Sequence, residues 1–310
     1  MDIRIEHLTK RYGRQLAVDD VDFIVNAGEV LGFLGPNGAG KTTTMRMICG
    51  LTSSDSGRVL IGGKDVADDA LAIRRAIGYL PESNPLYEDM PVLDLLRFGA
   101  RIQGVDKQAI ADRIREMVKV CGLEQEKQKR VGELSRGYRQ RAGLALAMVH
   151  DPQVLILDEP TTGLDPNQIV EVRELIKELG KAKTVIFSTH ILPEVEAVCD
   201  RELIISKGRI TADGTPAQLR SRMRDHQGFL IRITGAEPER ILSLLRAMEN
   251  VSTATVAANG ENGYVVRMNG KQGAGPQAVM AACIAQGLTI VELRPLETAL
   301  EDVFRDATLN

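Results

Sequence analysis

Hydrophobic and polar positions along the first two thirds of the chain follow two patterns. Short apolar segments predict strands, at 3–23 (broken at 12–14), 29–35, 154–157 and 184–187. Apolar residues at helical spacing predict helices, at 110–120 and 140–150. The runs at 154–157 and 184–187 are continuous, as in parallel strands that are covered on both faces. Alternation of such strands with helices predicts an α/β core, preceded by an antiparallel β portion.

A different pattern begins after residue 216. We predict a cassette at 1–220, a linker at 221–227 and an accessory domain at 228–310. Within that domain, strands and helices are predicted in the order βαββαβ, the ferredoxin-like arrangement, at 229–234, 238–248, 251–257, 263–268, 275–285 and 288–293. Residues 296–307 predict a short amphipathic helix that ends the chain.

Composition narrows the class of protein. The 310 residues, 44% hydrophobic and 26% charged, are typical of a globular protein with two unequal domains. A formal charge of -3 gives no overall basic field, and the Lys/Arg-rich stretch 127–141 has no aromatic platform beyond Tyr138, so we predict no nucleic-acid partner. No apolar run approaches the ~18–20 residues that a membrane-spanning helix needs. The cysteines form no C-x-x-C pair, which predicts neither a zinc site nor a disulfide framework.

A glycine-rich segment between a predicted strand and a predicted helix matches G-x-x-x-x-G-K-[ST]. Its glycines let backbone N–H groups surround a β-phosphate, and the following helix adds partial positive charge at its N-terminus. Lys41 is predicted to reach the β- and γ-phosphates, and the Thr42 hydroxyl to ligate Mg²⁺. The predicted phosphate-binding residues are Gly35, Pro36, Asn37, Gly38, Ala39, Gly40, Lys41, Thr42 and Thr43.

Two adjacent carboxylates end the apolar run 154–157. Asp158 is predicted to hold Mg²⁺ through the water shell of the metal, and Glu159 to accept a proton from the attacking water or to orient it. The alternative is a pair of solvated acids at the end of a strand, because the loop-forming segment 160–163 follows directly.

The segment Leu134-Ser-Arg-Gly-Tyr-Arg-Gln140 resembles the signature of the ABC family. Gly163-Leu-Asp165 is similar to the D-loop of that family, and Ser188-Thr-His190 is similar to its switch histidine. The order of these motifs over residues 1 to about 220 is that of an ABC ATPase. The resemblance implies an α/β P-loop cassette with an antiparallel β subdomain and a helical subdomain, which hydrolyses ATP with Mg²⁺.

The resemblance also implies roles for further residues. It implies a head-to-tail dimer, in which Ser135 and Gly137 of one cassette cover the γ-phosphate that Lys41 of the other holds. Tyr12 stands where the family places the aromatic ring that stacks on adenine. His190 stands where the family has the histidine that contacts the γ-phosphate.

Some residues depart from the usual family pattern. Arg136 and Tyr138 stand where many members have Gly and Gln, and Glu82 stands where the Q-loop usually has glutamine. A carboxylate is a harder donor than an amide, so Glu82 is still expected to ligate Mg²⁺. These departures resemble ATPases of the ABC-2 exporter type, most closely the gliding-motility-associated subgroup. The implied partners are a second, identical cassette and an ABC-2 permease, on the cytoplasmic face of the cell membrane.

The alternative function is that of a soluble ABC ATPase acting on the ribosome or on DNA. Translation-type members carry two cassettes in one chain, and repair-type members insert a long coiled coil before the signature; this sequence shows neither. A small-molecule kinase or GTPase fits less well, because the guanine-specifying N-K-x-D is absent. We therefore expect the ATP-hydrolysing subunit of a transporter whose permease is a separate chain.

Overall fold

The computed structural model describes residues 1–222, 228–248, 251–257, 263–268 and 276–295. Contacts within the chain divide it into two units, of which the first is Met1–Pro216 and the second begins at Ala217. None of the helices in the described ranges has the length and hydropathy needed to span a bilayer. The predicted helix at 296–307 lies outside these ranges, as does most of the predicted linker.

An antiparallel sheet opens the first unit, as predicted. Its strand order is β2-β1-β4-β5, with β1 at Ile3–Tyr12, β2 at Gln15–Val25, β4 at Ser56–Ile61 and β5 at Lys64–Asp65. The first two strands are 10 and 11 residues long rather than short. Shifts of register between them interrupt the alternation of apolar residues, which makes one long strand look like several short ones in the sequence.

The second sheet carries the predicted α/β core. Its order is β10-β9-β3-β8-β7-β6, with β3 at Val30–Leu34, β6 at Ile77–Leu80, β7 at Val154–Asp158, β8 at Thr184–Thr189, β9 at Arg201–Ser206 and β10 at Arg209–Gly214. All neighbours are parallel except β9 and β10. Every residue of β3, β7 and β8 is buried, which explains their continuous apolar runs. The carboxyl ends of these three strands meet at one edge.

Some helices pack around the sheet, and others form a separate helical subdomain. Their bounds are Lys41–Ile48 (α1), Ala70–Ala76 (α2), Val92–Ile102 (α3), Ile110–Val120 (α4), Arg136–Met148 (α5), Pro166–Gly180 (α6), Leu192–Val198 (α7) and Pro216–Arg222 (α8). Contacts among α3, α4 and α5 define the helical subdomain. Helix α5 begins four residues before its apolar pattern, because the Ser135 side chain caps it by accepting a hydrogen bond from the Tyr138 N–H.

The second unit has the predicted order βαββαβ over its described residues. Its elements are Gly228–Thr234 (β11), Pro238–Arg246 (α9), Val251–Val256 (β12), Gly263–Met268 (β13), Pro276–Ala285 (α10) and Thr289–Pro295 (β14). The strands form an antiparallel sheet in the order β12-β13-β11-β14. Every second residue of β11 is buried, namely Phe229, Ile231 and Ile233. These side chains form a core with Ile241 and Leu245 of α9. The helices therefore cover one face of this sheet.

Candidate nucleotide site

The loop at 35–40 joins the end of β3 to the start of α1. Gly38 and Gly40 have φ angles of 79° and 111°, which a residue with a side chain rarely adopts. At Gly40 a Cβ would also lie 2.5 Å from the carbonyl oxygen of Ala17. These glycines let the chain turn tightly into the first turn of α1, whose backbone N–H groups have no partner within the helix and form an anion-binding site.

Lys41 connects this loop to the end of β7. Its side chain is buried, and Nζ donates hydrogen bonds to the carbonyl oxygens of Gly35 at 2.7 Å and Pro36 at 3.3 Å. The same Nζ lies 3.4 Å from Oε1 of Glu159. The positive charge therefore lies between the glycine-rich loop and the predicted catalytic carboxylate.

Ser188 holds the carboxylate of Asp158 and the backbone of Glu159 at the end of β7. Its register partner across the sheet is Asp158. The Ser188 hydroxyl donates to Oδ1 of Asp158 at 2.7 Å and accepts from the N–H of Glu159 at 3.0 Å. Oδ2 of Asp158 is buried and has no hydrogen-bond partner in the part of the chain that the structure describes. Burial raises the pKa of Asp158, while the nearby hydroxyls of Ser188 and Thr42 and the charge of Lys41 act in the opposite direction.

The two predicted catalytic residues contact each other. Nδ1 of His190 lies 2.9 Å from Oε2 of Glu159, and the Thr162 hydroxyl donates to the same oxygen at 3.3 Å. Glu159 has a φ of 50°, a conformation that costs a residue with a side chain of order 1–3 kcal/mol. Such strain persists only where neighbouring groups hold the backbone, as the Ser188 hydroxyl does here.

A cavity of about 270 Å³ brings most predicted ligands of the nucleotide together. The predicted residues that line it are Tyr12, Pro36, Asn37, Gly38, Gly40, Lys41, Thr42, Thr43, Glu82 and Glu159. The ring of Tyr12 is half exposed at the edge, with Nζ of Lys10 5.6 Å from its centroid. A larger cavity of about 860 Å³ shares Thr42 and Glu82 with the first and includes Asp158. The phosphate loop, the carboxylates and Tyr12 thus form one region.

Comparison with known proteins gives the family. The model of the ABC transporter family matches residues 18–162. The uncharacterized ABC transporter ATP-binding protein YxlF of Bacillus subtilis (strain 168) is 36% identical over 302 residues, 97% of this chain and 98% of that protein. The chain belongs to the ABC transporter family. It is an ATP-binding subunit of an ABC transporter, with the ATPase activity of that family.

Two further relatives of this ABC subunit extend the comparison. The Nod factor export ATP-binding protein I of Rhizobium sp. (strain N33) is 35% identical over 309 residues, 97% of this chain and 95% of that protein. A solved structure of an ATP-binding subunit of an ABC transporter is 32% identical, with a TM-score of 0.66. The alignment covers 72% of this chain and 93% of that one. The cassette fold is therefore confirmed.

The signature residues lie apart from the cavity that contains Lys41. Ser135 is exposed at the start of α5, and Gly137 is buried against the side chain of Gln168, where a Cβ would approach within 2.5 Å. The guanidinium group of Arg136 packs against Gly163, 2.1 Å from where a Cβ would lie. Neither Ser135 nor Gly137 is among the residues that line the cavity of Lys41. Their role at the phosphate of a second cassette stays a prediction.

Sequence reasoning missed the polar groups that position the site. Ser188 is part of the motif Ser188-Thr-His190, but its bonds to the Asp158 carboxylate and to the Glu159 N–H were not predicted. Asn84 was also missed: its side-chain amide donates to the carbonyl oxygen of Arg139 at 2.9 Å and lies 3.3 Å from Oε1 of Gln140. It thereby joins the loop that carries Glu82 to helix α5. Each of these two residues lies two positions from a predicted site residue, but no other feature of the sequence marks it as a positioning group.

Proposed function

We propose that this chain is the ATP-hydrolysing subunit of an ABC-2 exporter, active as a homodimer on the cytoplasmic side of a separate permease. The observation that supports hydrolysis is the position of Glu159, whose carboxylate lies 3.4 Å from Nζ of Lys41 and 2.9 Å from Nδ1 of His190. Export is supported by the name of the Nod factor export relative. The test is phosphate release by the full chain, together with copurification of an integral-membrane protein encoded beside it.

Each residue of the site has a role in this proposal. Lys41 and the N–H groups at the start of α1 bind the β- and γ-phosphates. Glu159 accepts a proton from the attacking water or orients it, and His190 contacts the γ-phosphate. Tyr12 stacks on adenine, and Ser135 and Gly137 cover the γ-phosphate held by the second cassette. One chain alone then lacks part of each site.

The residues present also fit Mg²⁺. The predicted ligands are hard oxygen donors, namely the Thr42 hydroxyl and the carboxylates of Glu82 and Asp158, which Mg²⁺ prefers. The buried Oδ2 of Asp158 lacks a hydrogen-bond partner among the described residues, and such atoms call for an ion or a water. When bound, the metal would neutralise charge on the phosphate oxygens.

The second unit is proposed to be a ferredoxin-like accessory domain at 228–310. Its sheet order, with the first strand between the third and the fourth, supports this. Exposed Val256 and Val291 on its edge strands suit contact with the second cassette or with the permease. The gliding-motility-associated subgroup rests on the resemblance of two segments, Leu80-Pro-Glu-Ser-Asn-Pro-Leu-Tyr87 and Leu134-Ser-Arg-Gly-Tyr-Arg-Gln-Arg141.

A chain that ends at Arg222 tests this domain assignment. We expect it to fold and to bind ATP, because every predicted nucleotide ligand lies at or before His190. It should assemble less stably with its partners, which analytical ultracentrifugation and copurification measure. An insoluble product would contradict the proposed boundary, and assembly equal to that of the full chain would contradict the contact role.

Glu82 is proposed to couple the nucleotide site to the permease. The Glu82→Ala variant should lower basal turnover, because a proposed Mg²⁺ ligand is lost. It should lower the stimulation by permease and substrate by about a further tenfold, which is a typical size for coupling between two sites. Basal and stimulated phosphate release are measured on the subunit alone and on the complex in vesicles. Glu124→Ala removes an exposed carboxylate elsewhere and should change neither rate. Equal loss of both rates by Glu82→Ala would make this residue a metal ligand only.

A further inference from the structure

Glu194 is a buried carboxylate that the proposed mechanism does not use. It lies in the first turn of α7, and its side chain is fully shielded from solvent. Oε2 accepts hydrogen bonds from the hydroxyls of Thr161 and Thr189, each at 2.7 Å. Nη2 of Arg173 lies 3.7 Å from Oε1. Burying a charge is costly unless it is paired and hydrogen-bonded, and here the helix N-terminus, two hydroxyls and a guanidinium all offset that cost.

The two threonines belong to the segments that carry the predicted catalytic residues. Thr161 is two residues after Glu159, and Thr189 directly precedes His190. The Thr189 hydroxyl also accepts a hydrogen bond from the N–H of Ile191 at 3.0 Å. Its bonds therefore fix the chain on both sides of His190.

A single oxygen atom thus anchors both segments. A carboxylate oxygen has room for two donors, so Thr161 and Thr189 do not compete for Oε2 of Glu194. The segments held in this way bring Nδ1 of His190 to 2.9 Å from Oε2 of Glu159. A misplacement of about 1 Å at a catalytic group can lower a rate by as much as about 100-fold.

We propose that Glu194 is a positioning residue, which sets the mutual position of Glu159 and His190 through the hydroxyls of Thr161 and Thr189. The inference rests on the roles proposed above for Glu159 and His190. It concerns kcat rather than binding, because no atom of Glu194, Thr161 or Thr189 lines the cavity of the phosphate loop.

The test removes one hydroxyl and leaves the carboxylate in place, because Glu194→Ala would leave Arg173 without its partner and could unfold the chain. Thr189→Val deletes the hydroxyl with little change in shape. Thr184→Val is the matched control. Thr184 lies at the opposite end of the same strand and is equally buried. Its hydroxyl accepts from the Gly28 N–H at 3.0 Å and from the Met1 amino group at 3.5 Å, and donates to Met1 O at 2.8 Å.

Both variants should lower the melting temperature of the full chain by a similar amount, since each removes a buried hydroxyl that both donates and accepts hydrogen bonds. Only Thr189→Val should also lower kcat for phosphate release, by about 10- to 100-fold, with KM and the affinity for a fluorescent ATP analogue unchanged. Thr189→Ser keeps the hydroxyl and should restore most of kcat. The double variant Thr161→Val/Thr189→Val should lose less than the product of the two single losses, because both hydroxyls act on one oxygen.

Two results would overturn the positioning role. One is equal kcat in Thr189→Val and Thr184→Val, which would make the hydroxyl structural only. The other is a Thr189→Ser variant as slow as Thr189→Val, which would assign the effect to shape. Glu159→Gln is measured alongside. If Glu159→Gln hydrolyses ATP normally, the proposed catalytic role is wrong, and so is this inference. If Glu159→Gln is inactive while Thr189→Val keeps the kcat of the control, only this inference is wrong.

Discussion

Replacing Glu159 with glutamine is expected to lower phosphate release by about 100- to 10,000-fold, the usual contribution of a general base. The amide has nearly the same size but does not accept a proton from water at neutral pH. Lys41, Thr42 and the N–H groups of α1 remain in place, so ATP affinity should change little. As the ABC resemblance implies, ATP should then trap the dimer. Phosphate release at saturating MgATP and light scattering measure the two effects.

The control for this variant is Glu29→Gln. Glu29 is also shielded from solvent, with 10% of its side chain exposed, and pairs with Arg201 at 3.2 Å, but it lies before the start of β3, at the other end of the strand from the phosphate loop. It should keep the wild-type rate and leave the monomer–dimer equilibrium unchanged. A Glu159→Gln variant that works within a few-fold of wild type would remove Glu159 from the proposed role.

The phosphate loop was predictable because its requirements are local. A tight turn needs glycine at positive φ, as at Gly38 and Gly40, and the charged and hydroxyl ligands must follow at fixed offsets. The order of the elements was predictable for a similar reason. Strands buried on both faces have no polar residues to interrupt them, so β7 and β8 are visible as continuous apolar runs.

The positioning groups were not predictable, because their partners are distant in sequence. Ser188 contacts Asp158 only because β7 and β8 pair in one particular register. Thr161 and Glu194 meet across the ends of that sheet although they are far apart along the chain. Single short polar residues of this kind are common at the ends of strands, so nothing in the sequence distinguishes them until the register is known.

The same sheet edge explains why binding and hydrolysis residues lie together. Parallel strands present their carboxyl ends at one edge, where β3 leads to Lys41, β7 to Glu159 and β8 to His190. Strand β8 lies between β3 and β7, so the segment after it lies between the phosphate loop and the catalytic carboxylate. Because His190 contacts Glu159, a shift of His190 would directly change the position of the Glu159 carboxylate.

Replacing Lys41 with alanine is expected to impair ATP binding, the step that precedes the hydrolysis blocked by Glu159→Gln. ATP affinity and turnover should therefore fall together. Hydrogen bonds to a charged group contribute about 1.5–3 kcal/mol, so affinity should fall by about 10- to 150-fold. Titration of a fluorescent ATP analogue measures it. The control is Lys183→Ala, since Lys183 is also largely buried and bonds a carbonyl oxygen (Pro152, 2.7 Å) and a carboxylate (Asp151, 2.8 Å), away from the site. If Lys41→Ala binds the analogue as tightly as Lys183→Ala does, the loop is not the phosphate site.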